Sequence, residues 1–238
     1  MIKKLILCAA LFILDANAGA IDFIKPCAWN DKACILDSSK LALPYFVKGI
    51  PEIGVSPVDP FTIDEVNADN GELKLLFKNI KVEGISKCEI SEIERPTDKT
   101  HLRFVLHCPI VITGKYKSGG KILLVDVEGE GDTEIKTDKA RIEVDIKMKT
   151  IVKDGKSYYK FTSFDYKYEP IEKLHFKLDN LFNGDKARAE PFLKLLDQSW
   201  KELAQLGNPL IKAIVMKEAS NIEKIFLAMP IEEIELPA

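Results

Sequence analysis

The sequence has little excess of charge of either sign, and this excludes several classes of partner. Its 238 residues include 34 Lys and Arg and 37 Asp and Glu, for a formal net charge of −3. A nucleic-acid-binding protein needs a basic face to neutralise phosphates, and adhesion to anionic lipids needs clustered Lys and Arg. We therefore expect no nucleic acid as partner and no strong adhesion to a membrane surface.

Hydrophobic runs long enough to span a bilayer are also missing. The apolar run at 5–14 falls short of the ~20 residues that a spanning helix needs. Lys3 and Lys4 precede it, and small residues follow it as Ala16-Asn17-Ala18 or Ala18-Gly19-Ala20, which is the pattern of a signal peptide. We expect residues 1–18 to be a signal peptide, residues 19–238 to form a single domain, and the mature protein to be secreted and extracellular, with no stable membrane insertion.

Motifs for common catalytic chemistries are missing too. The sequence contains no Gly-x-Ser-x-Gly, no Gly-x-x-x-x-Gly-Lys-Ser/Thr and no His-Glu-x-x-His. Gly129-Glu130-Gly131 lacks a third glycine, and its acidic neighbourhood would repel phosphate, so a bend or bulge in a sheet is the better interpretation. We predict no catalytic residue, no cofactor and no enzymatic activity.

Cysteine is sparse but even in number once Cys8 leaves with the signal peptide. Four cysteines in an exported chain favour disulfides. Cys27 and Cys34 bracket a short loop, and closing it would contribute roughly 2–3 kcal/mol on the chain-entropy model.

The other two cysteines, Cys88 and Cys108, flank a candidate turn whose midpoint is Asp98, so a regular hairpin would place them opposite each other. A zinc site is the alternative use of four cysteines. It is disfavoured because neither pair has Cys-x-x-Cys spacing and the three histidines form no ligand motif. We predict two disulfides and no metal.

From residue 73 to residue 168 the hydrophobic pattern has the period of two that marks half-buried strands. The cleanest case alternates Ile142, Val144, Ile146 and Met148 with charged residues. Asp154-Gly155 then gives a strong hairpin signal. A two-residue turn there would pair Met148 with Phe161 and Thr150 with Tyr159. The pattern predicts a long antiparallel meander with one apolar face.

Helical periodicity flanks this meander on both sides. Asn30 or Asp31 is placed to cap a helix that runs to about Val47. A second apolar stripe begins at Pro191 and resumes after Pro209, either as one kinked helix or as two consecutive helices. As one element of about 39 residues it would be roughly 58 Å long, which favours an elongated molecule.

Several motifs in this order resemble the insect takeout and haemolymph juvenile-hormone-binding protein family. The resemblance rests on the loop from Cys27 to Cys34, 48–55 running into Pro57-Val58-Asp59-Pro60, a first long strand at 71–84, a next one at 114–131, and Leu178–Asp185 before an apolar helix. It implies an α+β fold, in which a highly curved antiparallel sheet wraps a long C-terminal helix in one elongated domain. Because no cysteine follows Cys108, the chain looks more like the takeout branch than like the classical hormone carriers.

The same resemblance implies that residues 19–238 form a carrier for a small hydrophobic ligand held in an internal apolar tunnel. Juvenile hormone, another terpenoid, a fatty acid and an odorant-like lipid are all admissible ligands. We predict a monomer whose ligand-binding residues are Phe46, Ile50, Leu75, Phe77, Phe104, Leu106, Val144, Ile146, Met148, Thr150, Tyr159, Phe161, Trp200, Leu203 and Ile214.

For any single one of these residues, ordinary core packing is the competing interpretation. Two other functions stay open at this point. An extracellular signalling or interaction protein would have a packed interior and an exposed apolar patch, and a secreted esterase would bring a nucleophile and a base together inside the pocket.

Overall fold

The computed structural model describes residues 21–96 and 98–237. The predicted signal peptide therefore lies outside the described residues. The strands, in chain order, are β1 (Cys27–Ala28), β2 (Phe61–Asn67), β3 (Lys74–Glu83), β4 (Glu89–Glu94), β5 (His101–Ile122), β6 (Val125–Lys153), β7 (Lys156–Pro170), β8 (His175–Leu178) and β9 (Glu235–Leu236). The helices are α1 (Lys32–Lys48), α2 (Lys186–Gln198), α3 (Trp200–Leu203), α4 (Asn208–Ala228) and α5 (Ile231–Ile234), with single 3₁₀ turns at Pro51–Ile53, Ile85–Lys87, Phe182–Gly184 and Ala204–Gly207.

The long antiparallel hairpin of β5 and β6 organises the molecule. β6 alone has 29 residues, which would extend for roughly 97 Å at the usual rise per residue. A compact protein of 238 residues has a radius of gyration of only ~17 Å, so the strands of the hairpin have to coil. The sheet stays open, and the helices pack against its apolar face. The predicted fold class, a long C-terminal helix wrapped by an antiparallel sheet, is confirmed.

This hairpin is flanked by different strands along its two halves. The first half of β5 pairs with β4 and the second half with β3, while the first half of β6 pairs with β8 and the second half with β7. The exchange occurs near a register shift between Cys108 and Ile110. The sheet therefore has a β4–β5–β6–β7 half and a β2–β3–β5–β6–β8 half.

Both predicted disulfides are present. Cys27 and Cys34 join β1 to the first turn of α1, and Cys88 is bonded to Cys108. Glu89 pairs with His107 across β4 and β5, so the register at the cysteines is the one that a turn centred on Asp98 predicts. The second hairpin is also as predicted, with Met148 opposite Phe161.

Other predictions about individual elements are wrong. The segment 114–131, predicted as one strand, contains the β5–β6 turn at Leu123 and Leu124, both of which have positive φ. The second helical region begins at Lys186, where Asp185 accepts a hydrogen bond from the Arg188 N–H as its N-cap.

Pro209 causes no break in that region, because it lies in the first turn of α4, where a missing N–H is harmless. The interruptions fall at Ser199 and at the 3₁₀ turn Ala204–Gly207. α4 alone is 21 residues, or roughly 32 Å, long.

Two of the motifs that carried the family resemblance contain a glycine at a position where a larger residue would collide with a neighbouring segment. No register shift occurs at Gly129-Glu130-Gly131, so of the predicted bend or bulge the bulge is wrong. A Cβ on Gly131 would come within 2.4 Å of the Asp179 carbonyl oxygen, and a glycine is therefore needed where the 179–181 segment crosses β6. Gly84 meets Pro109 in the same way, and its N–H donates to the Asp59 carboxylate of the Pro-Val-Asp-Pro motif.

Within the described residues, no helix has both the length and the apolarity needed to cross a membrane.

Candidate functional site

The larger of two spaces on the apolar face of the sheet, which we call cavity 1, lies between β4, the first half of β5, the second half of β6, α1 and α4. Its volume is about 250 Å³. This is more than the ~150 Å³ of a dry apolar cavity that holds benzene and close to the lower end of small-molecule sites, ~300 Å³. The space is therefore large enough for a small ligand.

Alternation along the strands and helical spacing supply the walls of cavity 1. The sheet contributes Ile90, Ile93, Leu102, Phe104, Leu106, Ile142 and Val144. The helix α1 contributes Ile35, Ser38, Ser39, Ala42, Leu43 and Phe46, and α4 contributes Ile214, Val215, Glu218, Ala219, Ile222, Ile225 and Phe226. On each helix the lining residues recur at intervals of about three or four, so each helix presents one face to cavity 1.

Few polar side chains reach this apolar wall, and Ser38 is one that the chain already satisfies. Its hydroxyl accepts from the Lys25 N–H at 3.0 Å and donates to the Lys25 carbonyl at 2.9 Å. Ser38 therefore ties the segment before β1 to α1.

Arg95, in the connection after β4, is the most deeply buried charge at cavity 1. Its side chain is 5% exposed, and its guanidinium carbon lies 3.6 Å from the centre of the Trp29 ring. Nη2 is 3.6 Å from Glu235 Oε2, which is beyond hydrogen-bond distance. That carboxylate accepts hydrogen bonds from the Tyr159 hydroxyl and from Lys99. Nε and Nη2 of Arg95 have no hydrogen-bond partner among the described residues.

Glu218 is the acidic group on the wall. Burial raises its pKa to about 7, although the hydrogen bond from Asn221 and the positive charges of Lys217 and Lys224 lower the pKa in part. Its Oε2 accepts from the Asn221 amide at 3.3 Å, whereas its Oε1 is buried and has no hydrogen-bond partner in the described part of the chain. At neutral pH this carboxyl is divided between its neutral and its charged form.

A second space, cavity 2, lies over the other half of the sheet and has a volume of about 100 Å³. Its walls come from β3, the second half of β5, the first half of β6, Tyr168 near the end of β7, β8, and the helical segments from α2 to the start of α4. The linings of the two cavities share no residue, and Ile211 and Ile214 of α4 lie on either side of the division. The interior predicted as one tunnel is thus described by two spaces, one for each half of the sheet.

Eight of the fifteen predicted ligand-binding residues line one of these spaces. Phe46, Phe104, Leu106, Val144 and Ile214 line cavity 1. Leu75, Phe77 and Leu203 line cavity 2. The sequence analysis placed these eight residues in one site, and the structure divides them between two cavities.

The other seven predicted residues line neither cavity. Ile146 and Met148 are buried in the main core, and Ile50 packs with Val55 and Ile225 in a smaller cluster. The ring of Phe161 packs at 5.5 Å from that of Phe226.

The remaining three are the polar candidates. Tyr159 is bonded to Glu235, Thr150 is exposed near the tip of the β6–β7 hairpin, and half-buried Trp200 lies beneath the Lys201 ammonium group. None of the three contributes a group to either cavity.

The sequence analysis did not find Arg95 or Glu218. A signal existed for Glu218, because it continues the apolar stripe of α4 at the spacing of Ile211, Ile214, Ile222 and Ile225. Arg95 follows the end of a strand and precedes a proline, where an arginine normally faces solvent, so nothing in the sequence marked it.

The arrangement can enclose an apolar molecule, and its described residues offer little for covalent chemistry. No histidine lines either cavity in the part of the chain that the structure describes, and the cysteines at cavity 1 are disulfide-bonded. His101, the one histidine bonded to a carboxylate there, meets Asp145 at 2.9 Å on strands β5 and β6 and lies outside both linings. In residues 21–96 and 98–237, no group of three His, Cys, Asp or Glu side chains is placed to hold a metal ion.

Comparison with known proteins gives one family and several relatives. The family model for haemolymph juvenile hormone binding protein matches residues 5–235. The circadian clock-controlled protein daywake of Drosophila melanogaster is 27% identical over 238 residues, covering 92% of this chain and 90% of the relative. A juvenile hormone-binding protein of Manduca sexta is 28% identical over 87 residues, covering 35% of this chain and 37% of the relative. Among solved structures, Takeout 1 of Epiphyas postvittana has a TM-score of 0.86 at 27% identity, covering 90% of this chain and 100% of that chain.

Proposed function

This chain belongs to the haemolymph juvenile hormone binding protein family, with takeout-like relatives, and from that premise we propose that it is a secreted, monomeric carrier of one small hydrophobic molecule. The ligand would bind without covalent chemistry in cavity 1. The observation that carries this proposal is an interior space of about 250 Å³ whose walls are almost entirely apolar.

The physical reason is that apolar surface gains roughly 25 cal/mol for each Å² removed from water. A void lined by aliphatic and aromatic side chains stays dry and forfeits the dispersion contacts that a ligand would supply. The few polar groups on the wall, Arg95 and Glu218, would set the orientation of the ligand.

Secretion is proposed on two grounds. The segment 1–18 has the composition of a signal peptide. The disulfides Cys27–Cys34 and Cys88–Cys108 suit an oxidising compartment. The admissible ligands are juvenile hormone, other terpenoids, fatty acids and odorant-like lipids.

Native mass spectrometry of the secreted protein, before and after extraction with organic solvent, tests the proposal. We expect a monomer carrying one lipid-sized mass that extraction removes and that an added hydrophobic ligand restores. A protein that arrives empty and takes up no terpenoid or fatty acid would overturn the carrier function and favour a role in signalling through its outer surface.

A matched pair of variants on α1 shows where the ligand binds. Ala42 lines cavity 1, and Leu41 beside it is 60% exposed. We expect Ala42→Phe to fill the space and abolish uptake, and Leu41→Phe to bind as the wild type does. Equal uptake by both variants would place the ligand elsewhere.

A further inference from the structure

Arg95 is a buried cation that the chain leaves incompletely bonded. Its side chain is 95% buried at the wall of cavity 1, and neither Nε nor Nη2 has a hydrogen-bond partner among the described residues. A buried charged donor without an acceptor carries a large desolvation cost, and an arginine cannot escape it by losing its proton. The molecule is therefore missing an acceptor at this position.

The protein's own carboxylate nearby is already in use. Glu235 accepts from the Tyr159 hydroxyl at 2.7 Å and from Lys99, and its Oε2 lies 3.6 Å from Arg95 Nη2. Arg95, Lys99 and Glu235 together carry a net charge of +1. One further negative group at the Arg95 side would neutralise the cluster.

The two unpartnered nitrogens have the arrangement that a carboxylate prefers. Nε and Nη2 share one edge of the planar guanidinium, and their N–H groups point the same way, so the two oxygens of a carboxylate can accept from both at once. Both nitrogens are covered by neighbouring side chains, so the guanidinium has to turn toward cavity 1 to meet the carboxylate. A hydroxyl or an ester carbonyl offers only one acceptor atom to this pair of N–H groups.

We propose that Arg95 binds the carboxylate of the ligand, and that cavity 1 therefore takes long-chain carboxylic acids in preference to neutral lipids of the same length. This inference rests on the proposed carrier function and names the chemical class of its ligand.

The positions of the charges also determine one orientation for such an acid. Arg95 lies at the Phe226 end of α4, because the Tyr159 ring is 5.3 Å from the Arg95 guanidinium and 6.2 Å from the Phe226 ring. Glu218 is eight residues earlier in α4, which is about 12 Å along the helix axis. A head group at Arg95 stays away from the Glu218 carboxyl, whereas the reverse orientation would place two carboxyls together. The apolar tail thus points along α4 toward Glu218.

The test compares hexadecanoic acid with its methyl ester, which has the same chain and no charge. Binding of each is measured by calorimetry on the delipidated mature protein and on three variants: Arg95→Met, Arg95→Lys and Lys32→Met. Lys32→Met is the matched control, since it removes an exposed cation that pairs with Glu94 and does not line cavity 1. The wild type should bind the acid more tightly than the ester by about 10- to 100-fold, the usual range for hydrogen bonds to a charged group.

Arg95→Met should lose this preference by weakening the acid and leaving the ester unchanged. Arg95→Lys should keep part of the preference, because it retains the charge and loses the two-point contact, and Lys32→Met should keep all of it. Equal weakening of acid and ester in Arg95→Met, or no change in either, would overturn the proposal; in the second case Glu235 or water satisfies Arg95. Failure of the wild type to bind either compound would instead overturn the carrier function.

A spectroscopic measurement on the wild type covers the case in which Arg95→Met does not fold. Hexadecanoic acid isotopically labelled at its carboxyl carbon is bound, and its NMR shift is followed as the pH is lowered. A carboxylate on Arg95 should stay ionised to a pH well below the usual titration range of a carboxylic acid. A bound acid that titrates normally or at higher pH would contradict the contact.

Discussion

Glu218 occupies a position in α4 that the spacing of the helix otherwise gives to apolar side chains. It lines cavity 1 beside Ala219 and Ile222, and burial raises its pKa to about 7. Because the folded protein holds this proton more tightly than the unfolded chain, the folded state binds more protons between pH 4.5 and about 7. Stability must therefore fall as the pH rises through that window.

Replacing Glu218 by glutamine should remove this dependence. We expect Glu218→Gln to be more stable than the wild type at pH 8 by about 2 kcal/mol, and nearly equal to it at pH 4.5. Urea denaturation at the two pH values measures the difference. Glu202→Gln, an exposed substitution on α3, is the control, and an unchanged pH slope in Glu218→Gln would contradict the assignment of this burial.

At the scale of elements, α1 forms one wall of cavity 1, and we expect it to act as the cover. One of its faces lines the space from Ile35 to Phe46. The disulfide Cys27–Cys34 fastens its first turn to β1, and Asp31 accepts a hydrogen bond from the Cys34 N–H as its N-cap. A cover held at one end by a covalent bond should open more often when that bond is removed.

Serine at both positions tests this cover. We expect Cys27→Ser/Cys34→Ser to release ligand faster by up to about tenfold, equivalent to ~1.4 kcal/mol of lost local stability. The circular dichroism of the sheet should not change. Stopped-flow displacement of a fluorescent fatty acid gives the rate, and unchanged release with the bridge shown by mass to be absent would contradict the prediction.

The sheet carries its own electrostatic element on strands β5, β6 and β7. Glu143 accepts hydrogen bonds from Arg103 and from Arg141 at 2.9 Å each, and Lys167 lies 3.8 Å away. The hydrogen bonds from Arg103 and Arg141 lower the pKa of Glu143 to about 2. The resulting stability is present above pH 4.5 and is lost as the pH falls toward 2.

For Glu143→Gln we expect a loss of about 1 kcal/mol in unfolding free energy at pH 7. The difference from the wild type should vanish near pH 2. Chemical denaturation across this range, with the exposed Glu92→Gln of β4 as control, would show it. A constant difference at every pH would mean that the charge of Glu143 is not the cause.

The pairing of neighbouring strands could be predicted from the sequence where a single pair of residues determined it. Asp154-Gly155 predicted the register of β6 against β7 from Met148 to the turn, and the symmetric positions of Cys88 and Cys108 predicted the register of β4 against β5 beside the disulfide. A register shift that was not predicted follows in each pair, at Lys147/Met148 and at Ile90/Glu92. The division of the interior was not accessible, because it follows from which strands flank each half of the β5–β6 hairpin. That exchange depends on long-range pairing, which a periodic pattern does not encode.

At the scale of the whole molecule, the two cavities lie in series along the sheet. Cavity 1 is lined by β4, the first half of β5 and the second half of β6, and cavity 2 by β3, β8 and the other halves of β5 and β6. About one turn of α4, between Ile211 and Ile214, divides them. A ligand longer than cavity 1 has to displace side chains there and enter cavity 2.

Ligand length should therefore reveal the division. Ala204 lines cavity 2, and we expect Ala204→Phe to leave decanol binding unchanged and to weaken octadecanol binding by about tenfold, or ~1.4 kcal/mol. Isothermal titration with both alcohols measures this effect without involving Arg95. Equal effects on the two alcohols would mean that the cavities do not act in series.

The pairing of β1 with β9 has a consequence for the time at which a ligand can be acquired. Cys27 pairs with Glu235, and cavity 1 is lined by Ile24 from one end of the described chain and by Ile234 from the other. Ile234 is synthesised long after Ile24, so the wall of the cavity is complete only once both ends of the described chain have been made and have paired. For a carrier, loading would then be a late event in biogenesis, and the molecule bound in a freshly isolated protein would come from the compartment in which folding ended.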